Sequence, residues 1–260
     1  MTQKLCNWLV FVCALAIATA FAVPAFAQMS EVKEKPPMYS YVSFWNIPRA
    51  QWGDMQKANA SDQSILEKAL SNGTIVGYGF DQNLVHQPDG ATHDDWFSAM
   101  SMAGLLNALD QLYKSGVPTA PVLANATKHW DTFYESRYYN WHSGSWKEVY
   151  TGGASFKLKA HVPDSAIDTL SRNFIVPMME KLLSDGSIHE YEIDTESIHS
   201  DPPGMFWLFY VAANADTFDK VHAILRENIK ANPLSAEAFD SMIDWSAHRD
   251  DLVRTNATYK

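Results

Sequence analysis

The sequence predicts an α+β chain built from two tandem β-α-β-β-α units that pair their sheets, and three observations predict it. Residues 67–86 (EKALSNGTIVGYGFDQNLVH) and 180–199 (EKLLSDGSIHEYEIDTESIH) align without a gap at an offset of 113 and share nine of twenty residues, where chance supplies about one. Strand-like and helix-like stretches follow in the same order around both copies. A shorter echo, His129-x-Asp131-x-Phe133-x-x-Ser136 against His248-x-Asp250-x-Leu252-x-x-Thr255, suggests that the two units end alike.

Residues 1–27 read as a cleaved signal peptide: Lys4 supplies the positive start, residues 8–23 are almost unbroken apolar sequence, and Ala25-Phe26-Ala27 is a small-x-small cleavage signature. Export to a bacterial periplasm or secreted space follows, with no stable membrane anchor after cleavage. Both cysteines, Cys6 and Cys13, lie in that leader, so the mature chain has neither a disulfide nor a thiolate nucleophile. A formal charge of −10 argues against nucleic acid as a partner, because phosphate binding needs a basic surface.

Residues 28–38, with Pro36-Pro37, read as a flexible tether. The first unit spans 39–137, an aromatic-rich linker 138–153, and the second unit 154–260. In the first unit, Tyr41 to Ile47 is a strand ended by Pro48, a residue that cannot donate to a ladder; its counterpart is Phe156 to Val162, ended by Pro163. Apolar residues at helical spacing predict helices over 52–70 and 165–183. Ser71-Asn72-Gly73 and Ser184-Asp185-Gly186 stop them, with glycine in the left-handed position after the last turn. Each repeated stretch is therefore a helix end, its cap and the next strand. Third strands follow over 96–102 and 205–212, then second helices over 103–113 and 217–230.

This order is the split-βαβ, ferredoxin-like plan. Helices cover one face of such a sheet, and a second copy can cover the other, so two tandem ferredoxin-like repeats would pair into one pseudo-symmetric α/β barrel. The element order and the repeated EK-x-L-S-[ND]-G-[ST]-I-x-x-Y-x-x-D pattern resemble the dimeric α/β-barrel superfamily, with its antibiotic-biosynthesis-type monooxygenases, EthD-like proteins and NIPSNAP-type proteins. The resemblance covers residues 39–115 and 154–260. It implies a pocket between the halves and leaves the chemistry open among cofactor-free oxygenases, haem enzymes and binding proteins.

Several residues are candidates for that pocket. His86 and His199 recur by repeat, each five residues past Asp81 or Asp194, and imidazole serves as base or ligand near neutral pH; bonding to a backbone carbonyl in the loop is the simpler role. His161 is a third candidate base or axial ligand. Trp45, Asn46, Tyr78, Trp96, His161, Tyr191 and Trp207 are expected to line the inter-repeat space and bind ligand, Asn46 and His161 being treated as equivalents. Nothing matches a metal-binding spacing, so no metal is expected. No cofactor is predicted either, although the size and layout also resemble chlorite dismutases, which would imply haem. The leading expectation is an exported protein binding a small, partly apolar ligand between its repeats. The alternatives are a cofactor-free or haem-dependent oxygenase, and an interaction module offering Tyr138 to Trp146 to a protein partner.

Overall fold

The structure is a computed structural model that describes residues 34–87, 90–163 and 165–260; the expected signal peptide and the tether up to residue 33 lie outside them. In chain order the elements are β1 (Met38–Asn46), α1 (Trp52–Ser71), β2 (Gly77–Asn83), β3 (His93–Ala99), α2 (Met102–Ser115), α3 (Pro121–Ala124), β4 (Lys128–Trp141), β5 (Gly144–Lys157), α4 (Ala166–Leu170), α5 (Val176–Ser184), β6 (Ile188–Ile198), β7 (Met205–Ala212), α6 (Asp216–Ala231), α7 (Pro233–Met242) and β8 (Arg249–Tyr259). A π-helical turn over Ser171–Ile175 joins α4 to α5.

The strands close a barrel in the order β1-β3-β2-β8-β5-β7-β6-β4, with antiparallel neighbours throughout. Closure leaves no unpaired strand edge. The first four strands stand as 4-1-3-2 and the last four as 8-5-7-6, and the two groups meet where β2 pairs β8 and where β4 pairs β6.

The repeated stretches do what their chemistry demands. Gly73 and Gly186 adopt φ of 78° and 74° after α1 and α5, values that a residue with a Cβ reaches only with strain. Beside them Asn72 Oδ1 accepts from the Thr74 amide at 2.9 Å and Asp185 Oδ1 from the Ser187 amide at 3.0 Å, turning the chain into β2 and β6. The unit ends match as well. His129 Nδ1 donates to Phe44 O at 3.0 Å and its ring stacks on Trp45; His248 Nδ1 donates to Ser155 O at 2.8 Å and stacks on Phe156.

Alternate strand residues point to opposite sides. On the outer side Tyr41, Tyr78, Phe80 and Phe97 pack beneath Leu66, Leu70, Leu105 and Leu112 of α1 and α2. A second cluster joins Trp45 and Ile47 to Met55 and Leu123. The apolar strand face is thus the one the helices cover, and the more polar face lines the barrel interior.

Three boundaries differ from expectation. Residues 138–153 are not a surface linker: they form the end of β4 and most of β5, with Tyr138 and Tyr139 each 4% exposed. Gly152-Gly153 reads as a break, but here the rings of Tyr210 and Phe209 lie over these glycines inside the sheet. The expected strand over 156–162 ends instead at Lys157, and His161 lies in an exposed turn. Its stacking puts Phe156 in the position that Trp45 holds on β1, so Lys157, rather than His161, is the equivalent of Asn46. The near end of the tether is also fastened, by Lys35 N donating to Arg137 O at 2.9 Å and Tyr139 Oη donating to Pro36 O at 2.8 Å.

Candidate functional site

The interior of the barrel holds a cavity of about 430 Å³, a volume in the range of small-molecule sites. Each strand contributes its inward set: Val42 and Phe44 from β1, Asp81 and Asn83 from β2, Asp94 and Trp96 from β3, Trp130 and Tyr134 from β4. Across the lumen stand Thr151 and Ser155 of β5, Glu190 and Glu192 of β6, Trp207 and Phe209 of β7, and Asp251, Val253 and Tyr259 of β8. The loops after β2 and β6 add Val85, Gln87 and Asp201 to the wall. Toward the other end Tyr259 closes with Trp96, Trp141 and Trp146, at ring-centroid distances of 5.4, 5.8 and 6.4 Å.

Carboxyl groups dominate this lumen. At the two seams that close the barrel, register pairs Asp81 with Thr255 and Asp194 with Ser136. Ser136 Oγ donates to Asp194 Oδ1, and the Thr255 hydroxyl bonds the Asp81 carboxyl. No donor group outside the acids reaches Asp81 Oδ1, Asp194 Oδ2, Glu190 Oε1 or Glu192 Oε2, although the side chains of Asp81 and Asp94, and of Glu192 and Asp194, lie within hydrogen-bonding reach of one another. Such orphaned buried oxygens are costly and call for an explanation. Asn83 Nδ2 donates to Asp94 Oδ2 at 3.3 Å.

Burial is the main force on the titration of these groups, because it penalises the charged form. It pushes Asp94 and Asp194 up to about 7. Burial, and then the neighbouring charges of Asp94 or Asp194, hold Asp81, Glu190 and Glu192 well above the usual carboxylate range. Among the described residues Arg249 is the one lysine or arginine in the wall. Its guanidinium donates to His248 O at 2.6 Å and Ser246 O at 3.3 Å, so it is committed to backbone carbonyls.

Of the residues expected to bind ligand, Trp96 and Trp207 do line the cavity. Trp45, Tyr78 and Tyr191 do not, because their side of each strand is covered by helices. Trp45 stacks on His129 at 3.6 Å, Tyr78 joins the core under α1, and Tyr191 Oη donates to Glu180 of α5 at 2.6 Å. Asn46 Nδ2 donates to Gly90 O at 2.8 Å and so holds the β2–β3 loop at the rim. His161 is outside the lumen altogether. His86 bonds Asn83 O at 2.9 Å, the backbone-carbonyl role, and His199 is exposed just past β6. Sequence reasoning missed Asp94, Glu190, Glu192 and Asp251. The alternation E-x-E-x-D over residues 190–194 was the available signal, but charges on one strand face ordinarily mean solvent.

A second cavity, of about 310 Å³, lies outside the barrel beneath α1 and α2, with Asp62, Asp95 and His129 in its wall. Neither cavity fits haem. No histidine lines the lumen. His129 borders the outer cavity, but its Nδ1 is bonded to Phe44 O and its Nε2 lies 3.5 Å from Asp131 Oδ1. The carboxyls of Asp62 and Asp95 would oppose the anionic propionates of the group. Among the described residues no three of His, Asp or Glu converge closely enough to hold a metal ion.

No protein-family model matches the chain, and no curated protein matches it. Solved structures do. A candidate monooxygenase from Lactobacillus acidophilus NCFM aligns over 86% of this chain and 97% of its own, with a TM-score of 0.63 and 10% identity. A candidate monooxygenase from Fusobacterium nucleatum aligns over 87% and 95%, with a TM-score of 0.62 and 10% identity. At such identity the likeness is one of fold alone, a closed antiparallel barrel with helices on its outer side.

Proposed function

We propose that the barrel lumen is a small-molecule site of acid–base character, taking a compact, partly aromatic ligand between two halves of duplicated ferredoxin-like origin. The observation that carries this reading is the set of carboxyl oxygens on Asp81, Glu190 and Glu192 that no donor group outside the acids reaches, on residues that line one cavity with aromatic walls. Buried polar atoms without partners weaken a fold, so their presence in a lumen fits a ligand that completes their hydrogen bonds. The duplication is supported by the recurring strand order and by the matched His129 and His248 geometry. The leader adds the expectation that the protein acts after export.

With Asp94 and Asp194 held near 7 by burial, each is suited to exchange a proton at neutral pH. Purified protein should gain thermal stability from small aromatic compounds, since any ligand specific to the folded state stabilises it. Val42→Trp, which fills the lumen, should abolish the gain while the protein still folds. An undiminished gain in that variant would place the site elsewhere.

A second reading is a cofactor-free oxygenase, favoured by the two monooxygenase candidates among the fold neighbours. Asp194 or Asp94 would take a proton from an acidic substrate, and the substrate itself would supply electrons to dioxygen. Oxygen uptake dependent on an added phenolic or enolic substrate, and lost in Asp194→Asn, would support it. Binding without oxygen uptake would leave the lumen a binding site.

A further inference from the structure

We propose that the ligand is an organic cation, its protonated nitrogen held by Glu190 and Glu192 on β6 and its apolar body resting against Trp96 and Trp207. This rests on the reading of the lumen as a small-molecule site and adds the ligand's charge.

The acids alone would not carry the inference, but three further observations point the same way. Glu190 is 2% exposed and lines the cavity, yet no donor reaches its Oε1, and none outside the acids reaches Oε2 of Glu192 beside it. Among the described residues no basic side chain forms an ion pair with them: Arg249, the one in the wall, turns its Nη1 to backbone carbonyls. A lumen whose carboxyls outnumber its single guanidinium is complementary to a cation. The third observation is an asymmetry. At the repeat offset of 113, Glu190 and Glu192 stand where the first half has Gly77 and Gly79. Those glycines make room for rings: a Cβ on Gly79 would strike the Trp96 indole, and one on Gly77 would lie 2.5 Å from Tyr259. β2 and β6 are four places apart in an eight-stranded ring, so the Trp96 and Tyr259 rings, with Asp81, Asp94 and Asp251 among them, face Glu190 and Glu192 across the lumen. That polarity suits an ammonium head on an apolar body, with rings able to add cation–π attraction. A hydrated metal ion would need oxygen ligands on all sides, and Trp96, Trp207 and Phe209 supply none.

Ligand entry also has a proton signature. Because the lumen carboxyls hold protons above their ordinary range, an entering ammonium group ionises some of them and drives protons into the buffer.

The test is calorimetry of the purified protein at pH 7.5 with 2-phenylethylamine, 2-phenylethanol, 3-phenylpropionate and calcium chloride, each in two buffers of different ionisation enthalpy. The amine is expected to bind at least about tenfold more tightly than the alcohol, a difference of about 1.4 kcal/mol, and to release protons. Glu192→Gln and Glu190→Gln should each weaken the amine about tenfold and leave the alcohol unchanged; the two single variants guard against one failing to fold. Equal binding of amine and alcohol, or tighter binding of the carboxylate, overturns the cation inference and leaves the small-molecule site standing. Binding of calcium in place of the amine overturns it in favour of a metal site. If none of the four binds at millimolar concentration, the inference and the lumen reading fall together.

Discussion

β2 and β6 are opposite walls of one barrel, reached by the same helix cap and the same turn, and they show two ways to treat an inward strand face. β2 presents Gly77, Gly79 and Asp81; β6 presents Glu190, Glu192 and Asp194. Their outward faces scarcely differ: Tyr78 and Phe80 on one, Tyr191 and Ile193 on the other, all buried. The contrast teaches that the covered face carries the fold and the lumen face is where the two halves differ. Cores constrain residues by packing, whereas a lumen that must receive a ligand can keep arrangements that weaken the protein.

Truncating the covered face should have the largest effect. Phe80→Ala removes a ring from the cluster under α1 and α2 and should cost about 3–5 kcal/mol, measured by urea unfolding. A loss below about 1 kcal/mol would mean that this face is not what holds β2.

The pH dependence of stability comes next, and the lumen carries most of it, with Asp62 and Asp95 of the outer cavity acting in the same direction. Asp94 and Asp194 rise from 3.8 to about 7 on folding, so the folded protein holds protons that the unfolded chain has released. Their contribution is complete below about pH 4 and is lost as pH rises toward 7, at up to about 1.4 kcal/mol per pH unit per group. Asp81, Glu190 and Glu192 act in the same direction and further up. His93 acts oppositely, because burial lowers it from 6.5 to about 4 and its contribution is lost as pH falls between those values. Between pH 6.5 and 8 only the carboxyls matter, and the melting temperature should fall. Asp194→Asn should melt higher than wild type at pH 8 and show a shallower slope. A melting temperature that rises from pH 6.5 to 8 would mean the lumen is wet and its acids ionised.

Gly79→Ala probes the aromatic wall. Its new Cβ meets the Trp96 indole, and such overpacking costs about 1–3 kcal/mol. The tryptophan fluorescence should shift as the ring is displaced, and the same substitution at Gly53, where nothing lies within 4 Å, should leave the spectrum unchanged.

The sequence shows which residues share a strand face, because the period of two is unambiguous, but not which face the helices will cover. Taking the apolar face as the pocket wall put Tyr78, Tyr191 and Trp45 in the lumen; the helices claim that face, because burying it is what drives them onto the sheet. The caps at Gly73 and Gly186 were readable, since only glycine sits easily at positive φ. So were the ingredients of the two seams: the repeated Asp81 and Asp194, and the echo that matches Ser136 with Thr255. Joining them needed the strand order, which brings β4 beside β6 and β8 beside β2 through pairings far apart in the chain. The long β5 was hidden by Gly152-Gly153, which reads as a break until Tyr210 and Phe209 are seen to lie over it.

The proposed site is the lumen rather than the outer cavity beneath α1 and α2, and one calorimetric comparison decides between them. Asp194→Asn removes a buried carboxyl that bonds Glu192 on the inward face of β6, and Asp62→Asn removes one from the outer cavity, where burial likewise pushes Asp62 up to about 7. With 2-phenylethylamine as the probe, binding should weaken about tenfold or more in Asp194→Asn and remain at the wild-type level in Asp62→Asn. Binding lost in Asp62→Asn and kept in Asp194→Asn would contradict the account and move the site outside the barrel.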